Sequence, residues 1–92
     1  MIRVIWAEEA LEDVYRHASY ISQFHPRAAA AMTRQIFEAG RNLASFPHRG
    51  RQGRVAGTRE MVAVHPYVVV YTIERSLITI LRVWHGAQDR SE

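Results

Sequence analysis

The sequence predicts an α+β fold: a largely antiparallel four-stranded sheet with an N-terminal helical hairpin packed on one face. Three observations predict it. Two stretches of helical periodicity adjoin in the first half of the chain, three strand-like runs adjoin in the second, and a short β-branched run precedes both. Strands grouped after a helix pair, instead of alternating with helices, indicate an antiparallel sheet with its helices on one side. The predicted order is β-α-α-β-β-β.

The first strand is "IRVIW" (2–6), short and β-branched. From Ala7 the period changes. Leu11, Val14, Tyr15, Ala18 and Ile21 fall at i, i+3, i+4, i+7 and i+10, one stripe of an amphipathic helix over about residues 7–24. Glu8 and Glu9 in its first turn complement the positive end of the helix dipole. "FHPRAAAAM" then restarts a helix, with Pro26 suited to the first helical position, where a missing N–H costs nothing. Ala29, Met32, Ile36, Ala39 and Leu43 carry the stripe on to "ASFP", where Pro47 forbids further helix. The run of alanines permits close approach, and so short a link makes the pair an antiparallel hairpin.

Residues 47–57 are rich in turn formers, and three strands follow. "TREMVAV" (58–64) alternates Glu60, Val62 and Val64 against Arg59, Met61 and Ala63. With Val62 and Val64 toward the helices, Arg59 faces away from them. "YVVVYTIE" (67–74) is apolar on both faces, as a central strand is. "ERS" turns tightly into "LITILRVWH" (77–85), in which Leu81 and Val83 are core positions and Arg82 points to the open side. His85 has the opposite parity to Arg82 unless the strand bulges or ends first. The tail "GAQDRSE" carries no periodic signal.

At 92 residues the chain is read as one domain, residues 1–92. It has no cysteine, which excludes a disulfide framework and any thiolate nucleophile or metal ligand. The histidines at 17, 25, 48, 65 and 85 contain no i, i+3 or i, i+4 pair, so neither a metal nor another cofactor is expected. No apolar run approaches a membrane span and "MIRVIW" is too short for a signal peptide, so a soluble, cytoplasmic protein without membrane contact is expected.

Charge is unevenly placed. Residues 1–45 balance five arginines with five acids, whereas residues 46–92 set seven arginines against four acids, so the excess of +3 lies wholly in the second half. Every basic residue is arginine, which is read as coding bias before it is read as phosphate recognition. "HRGRQGRVAGTRE" (48–60) concentrates four of those arginines with three glycines. Its spacing matches no phosphate-gripping loop, so it is read as a protruding, mobile docking loop. Trp6, Trp84, Tyr67 and Tyr71 are read as packing residues, since their spacing is not that of a base-stacking platform.

In this order and spacing, the strand ending in Trp6, "EEALEDVYRHASYI", "LASFPHRGRQGRVAGTRE", "YVVVYTI" and "ILRVWHGAQDR" resemble the RelE/ParE superfamily of bacterial type II toxin–antitoxin toxins. The resemblance spans nearly the whole chain. It implies a toxin neutralised by a cognate antitoxin, with contact to DNA only through the antitoxin complex. It also implies one of two mechanisms. RelE-like members cut mRNA on the ribosome, and on positions matching that pattern Arg59 and Arg82 would clamp phosphate while His85 would transfer a proton. His65 and Glu60 are alternatives for the proton-transfer role. ParE-like members poison DNA gyrase, and "GRQGRVAGTRE" and "LRVWHG" look closer to that branch. Gyrase inhibition is therefore the first expectation, with Arg49, Arg51, Arg54, Arg59 and Arg82 as target contacts. Ribosome-dependent mRNA cleavage and an inactive, antitoxin-binding member are the alternatives. The antitoxin is expected to lie against the helical hairpin at Leu11, Tyr15, Met32 and Ile36.

Overall fold

In the computed structural model, which describes residues 1–86, the elements run β1 (Arg3–Trp6), α1 (Glu8–Ser22), α2 (Pro26–Asn42), β2 (Arg51–Gln52), β3 (Arg59–Val64), β4 (Tyr67–Glu74) and β5 (Leu77–His85). Residues 87–92 of the tail lie outside the described residues. The sheet order is β1-β5-β4-β3-β2, with β1 parallel to β5 and every other pairing antiparallel. It has one strand more than expected. That strand, β2, comes from the turn-rich stretch and pairs Arg51 with Glu60 and Gln52 with Arg59. The return is closed by Gly53 N–H donating to Thr58 O at 2.7 Å, and Gly57 takes the left-handed φ of +86° that glycine tolerates.

The helices cover one face, α1 over β5 and α2 over β3. Ala10, Val14, Met32, Ile36 and Leu43 meet Val69, Tyr71, Ile78, Ile80 and Val83 in a single buried cluster. Each large side chain so buried contributes about 1.5–3 kcal/mol. His25 caps α2, its Nδ1 accepting from Ala28 N–H at 3.1 Å, and Pro26 follows in the first turn. Gly40 lets the layers touch. A Cβ there would meet the Trp6 indole and lie 2.9 Å from Ile80, whereas its absence lets Trp6 settle beside Phe37, ring centroids 4.7 Å apart.

Three phase expectations are corrected. In α1 the sheet-facing positions are Ala10, Asp13, Val14 and His17, while Leu11 and Tyr15 are exposed. The reason is backbone hydrogen bonding. β1 pairs only with Leu77–Ile80, leaving the outer edge of β5 uncovered at Val83. Asp13 Oδ2 accepts from Val83 N–H at 2.9 Å, and His17 Nε2 donates to Val83 O at 2.9 Å. Buried backbone groups need such partners, so two polar residues take places the apolar pattern would assign to leucine or tyrosine.

In β3, Met61 enters the core and Val62 is 57% exposed, the reverse of the expected parity. Both alternating sets of this strand are apolar, so pattern alone could not choose the face that α2 covers. In β5, Leu81 is no core residue. Val70 pairs with Arg82 but Tyr71 with Ile80, so Leu81 is the extra residue of a bulge. The bulge lets Ile78 and Ile80 before it, and Val83 after it, all face the helices.

Candidate target-docking surface

Cross-strand partners share a face, so the register assigns each candidate residue to one side of the sheet. Met61, Val69 and Val83 form one row in the core under the helices, as do Tyr71 and Ile80. Glu60, Val70 and Arg82 form a row on the other face, and so do Val62, Val68 and Trp84. On this face Val62 is exposed and Trp84 half-buried, whereas Val68 and Val70 beneath them are buried; arginines stand at its margins. At the β2 end, Arg49 and Arg51 line a cleft of about 380 Å³ with Glu60, Met61, Val62 and Val68.

Arg59 departs from expectation. It pairs with Tyr71 and therefore lies on the helix side, where its guanidinium donates to Gly50 O at 2.5 Å. Arg82 does start from the open face, as its parity predicts, but its guanidinium folds over the uncovered edge of β5 onto α1. Nε and Nη2 donate to Asp13 Oδ2 and Oδ1 at 2.8 and 3.0 Å. His85 pairs with Tyr67, on the helix side again, its ring edge-on to Tyr67 with centroids 5.2 Å apart. The His17 ring flanks Tyr67 as well, at 5.0 Å, and burial pushes the Tyr67 hydroxyl above its ordinary pKa. Along β4 the partners of Arg59 and His85 are four residues apart, about 13 Å. Arg59, Arg82 and His85 thus do not converge on one reacting atom.

The most densely bonded side chain is one that the sequence reading passed over. Asp13 is 1% exposed and accepts four hydrogen bonds: two from Arg82, one from Val83 N–H and one from Arg16 Nη2 at 2.6 Å. Burial pushes its carboxyl up, but the bonds from Arg82, Val83 and Arg16 outweigh burial and hold it below its ordinary pKa. The same pairing raises Arg82 above its ordinary value. A signal existed: Asp13 and His17 are four apart on a helix and adjoin the apolar positions Ala10, Val14 and Ile21.

The arginine-rich stretch, expected to be a protruding, mobile docking loop, is anchored to the sheet at several points. The Tyr71 hydroxyl, on a fully buried ring, accepts from Gly50 N–H at 2.9 Å and donates to Pro47 O at 2.8 Å. Glu60 Oε2 accepts from Arg54 N–H at 3.1 Å, and Glu60 Oε1 lies 3.7 Å from Arg51. Glu60 and Tyr71 therefore serve the loop from opposite faces of the sheet. His65 lies at the turn between β3 and β4, away from Arg82 in the register.

Of the four residues expected to meet an antitoxin, Leu11 and Tyr15 are exposed on α1, Tyr15 to 75%. Met32 and Ile36 are not available in this conformation; at 6% and 0% exposure they are core. Their stripe is the one that packs α2 on the sheet. No helix among the described residues is long and apolar enough to cross a membrane.

Comparison with known proteins places this geometry. Residues 4–90 match the family model described as ParE toxin of the type II toxin–antitoxin system parDE. Toxin RelE2 of Caulobacter vibrioides is 40% identical over 88 residues, covering 96% of this chain and 99% of that protein. Among solved structures, the chromosomal ParDE system from P. aeruginosa superposes with a TM-score of 0.83 at 21% identity, covering 92% of this chain and 96% of that one. The YoeB–YefM toxin–antitoxin complex from Staphylococcus aureus superposes at 0.60 with 17% identity, covering 92% and 98%. At those identities the two structures speak to fold.

Proposed function

The chain belongs to the ParE toxin family of type II toxin–antitoxin systems, and from that premise we propose that it acts in the cytoplasm by inhibiting DNA gyrase through the open face of its sheet. The observation that carries this reading is the dispersal of Arg59, Arg82 and His85. Metal-free RNA cleavage needs a base, a phosphate-stabilising cation and an acid around one phosphate. Here the first and third candidates sit on the helix side at opposite ends, and the second is already bonded to Asp13. A docking protein needs no such convergence. It needs a shaped surface with apolar centre and directed donors, which Val62, Trp84, Arg49, Arg51 and Arg54 supply.

A cognate antitoxin neutralises the toxin, and we place its contact on α1 at Leu11 and Tyr15. An acidic antitoxin segment would also cover the basic second half of the chain. Contact with DNA comes through the antitoxin complex. Ribosome-dependent mRNA cleavage is the second reading, favoured by the name of the Caulobacter relative.

The test is expression of the chain without antitoxin. Gyrase inhibition predicts DNA-damage signalling with intact mRNA, and loss of supercoiling by purified gyrase. Cleaved mRNA with unimpaired supercoiling overturns it in favour of the nuclease. His85→Ala separates the two again: it leaves a gyrase inhibitor active and disables a nuclease that relies on His85.

A further inference from the structure

We propose that Asp13 is a positioning residue for target docking: by gripping Arg82 over the edge of β5 it sets the guanidinium against Trp84 and builds a pre-organised Arg–Trp contact point at the β5 rim of the open face. The inference rests on the reading that this face meets a protein target, and it names the part of the face that is pre-organised.

Arg82 and Trp84 are i and i+2 on β5 and belong to adjacent rows of the open face. The guanidinium carbon lies 5.7 Å from the centroid of the Trp84 ring, within cation–π range. A free arginine on a strand would sample many rotamers, with about 2 kcal/mol of entropy to lose on binding. Arg82 has already lost it. Its fork is held through two nitrogens by a carboxylate that Val83 N–H and Arg16 hold in turn. The arginine side chain is still 41% exposed, so a partner can reach it. Aromatic and arginine side chains in rigid settings are the residues on which interface affinity concentrates, and pre-organisation lowers the cost of engaging them.

The charges acting on Arg82 also say what it fits. Asp13, shared with Arg16, offsets it in part, and Glu9 and Glu12 act on it as well. This end of the face therefore has little net positive potential, unlike the Arg49–Arg51 end. What it offers is an indole face and directed N–H donors. Those suit an apolar side chain beside a carbonyl of a protein surface, not a bare phosphate.

The experiment compares wild type, Trp84→Ala, Arg82→Lys and Asp13→Asn as purified proteins. It measures inhibition of gyrase supercoiling and affinity for the cognate antitoxin. Trp84 emission is recorded in a Trp6→Phe background. Trp84→Ala and Arg82→Lys should each weaken inhibition by about tenfold or more, Asp13→Asn should follow them, and antitoxin affinity should stay within about threefold. Trp84 emission should shift in Asp13→Asn. Lysine keeps the charge but cannot make the planar two-point grip, so Arg82→Lys separates positioning from charge and serves if Asp13→Asn does not fold. Full inhibition by Arg82→Lys, or unchanged inhibition or unchanged emission in folded Asp13→Asn, overturns the proposal and leaves the gyrase reading standing. A wild-type protein that leaves gyrase untouched overturns both.

Discussion

Replacing Asp13 by alanine tests the central packing argument most directly. The substitution orphans Val83 N–H at the edge of β5, releases both Arg82 contacts and frees Arg16. An unsatisfied buried N–H costs about 1–3 kcal/mol. The Arg82 pair is half open to solvent, so its loss is set near the surface value of about 1 kcal/mol, and the exposed Arg16 adds little. The sum is about 2–4 kcal/mol, a large share of the stability of a domain this size. At about 4–8 °C per kcal/mol for such a domain, Tm should fall by about 8–32 °C. Urea unfolding followed by far-UV circular dichroism measures it, with Asp13→Asn as the milder control that keeps an acceptor for Val83. A loss below about 1 kcal/mol for alanine would refute the claim that α1 holds the β5 edge through this carboxylate. The same residue makes a pH prediction. Because the folded carboxyl titrates below its ordinary value of 3.8, its contribution is present in full at neutral pH. As pH falls below about 3.8 the unfolded chain takes up the proton first, so stability declines and is gone once pH passes the lower folded value. In Asp13→Asn that part of the acid-unfolding slope should be missing.

Other substitutions report on the layers around it. Tyr71→Phe removes the hydroxyl that holds Gly50 and Pro47; it should cost about 1–3 kcal/mol and speed tryptic cleavage at Arg49, Arg51 and Arg54, read by mass spectrometry, and an unchanged cleavage pattern would show the loop is held elsewhere. Gly40→Ala gains helix propensity worth about 1 kcal/mol, yet it drives a methyl into Trp6 and Ile80; net destabilisation by about 1–2 kcal/mol is expected, with a changed Trp6 emission, and a more stable variant would contradict the close packing of β1 on α2.

The sequence by itself determined the class of the fold and the order of every element except the two-residue β2. Helical periodicity in residues 7–43, the central-strand composition of residues 67–74 and the stop at Pro47 are local properties, written in which residues follow which. The family resemblance was likewise written in the order of its segments. Tertiary structure alone decided which side of the sheet each arginine occupies. In β3 both alternating faces are apolar, so only the helix that covers Met61 could send Arg59 to the helix side. In β5 a one-residue bulge at Leu81 sets the register, and a bulge depends on partner strands that lie outside the local window. Asp13 is the sharpest case. Its spacing from His17 marks it beside the apolar stripe, but it becomes the hub of this molecule only because β1 ends at Trp6 and leaves the Val83 backbone needing a partner.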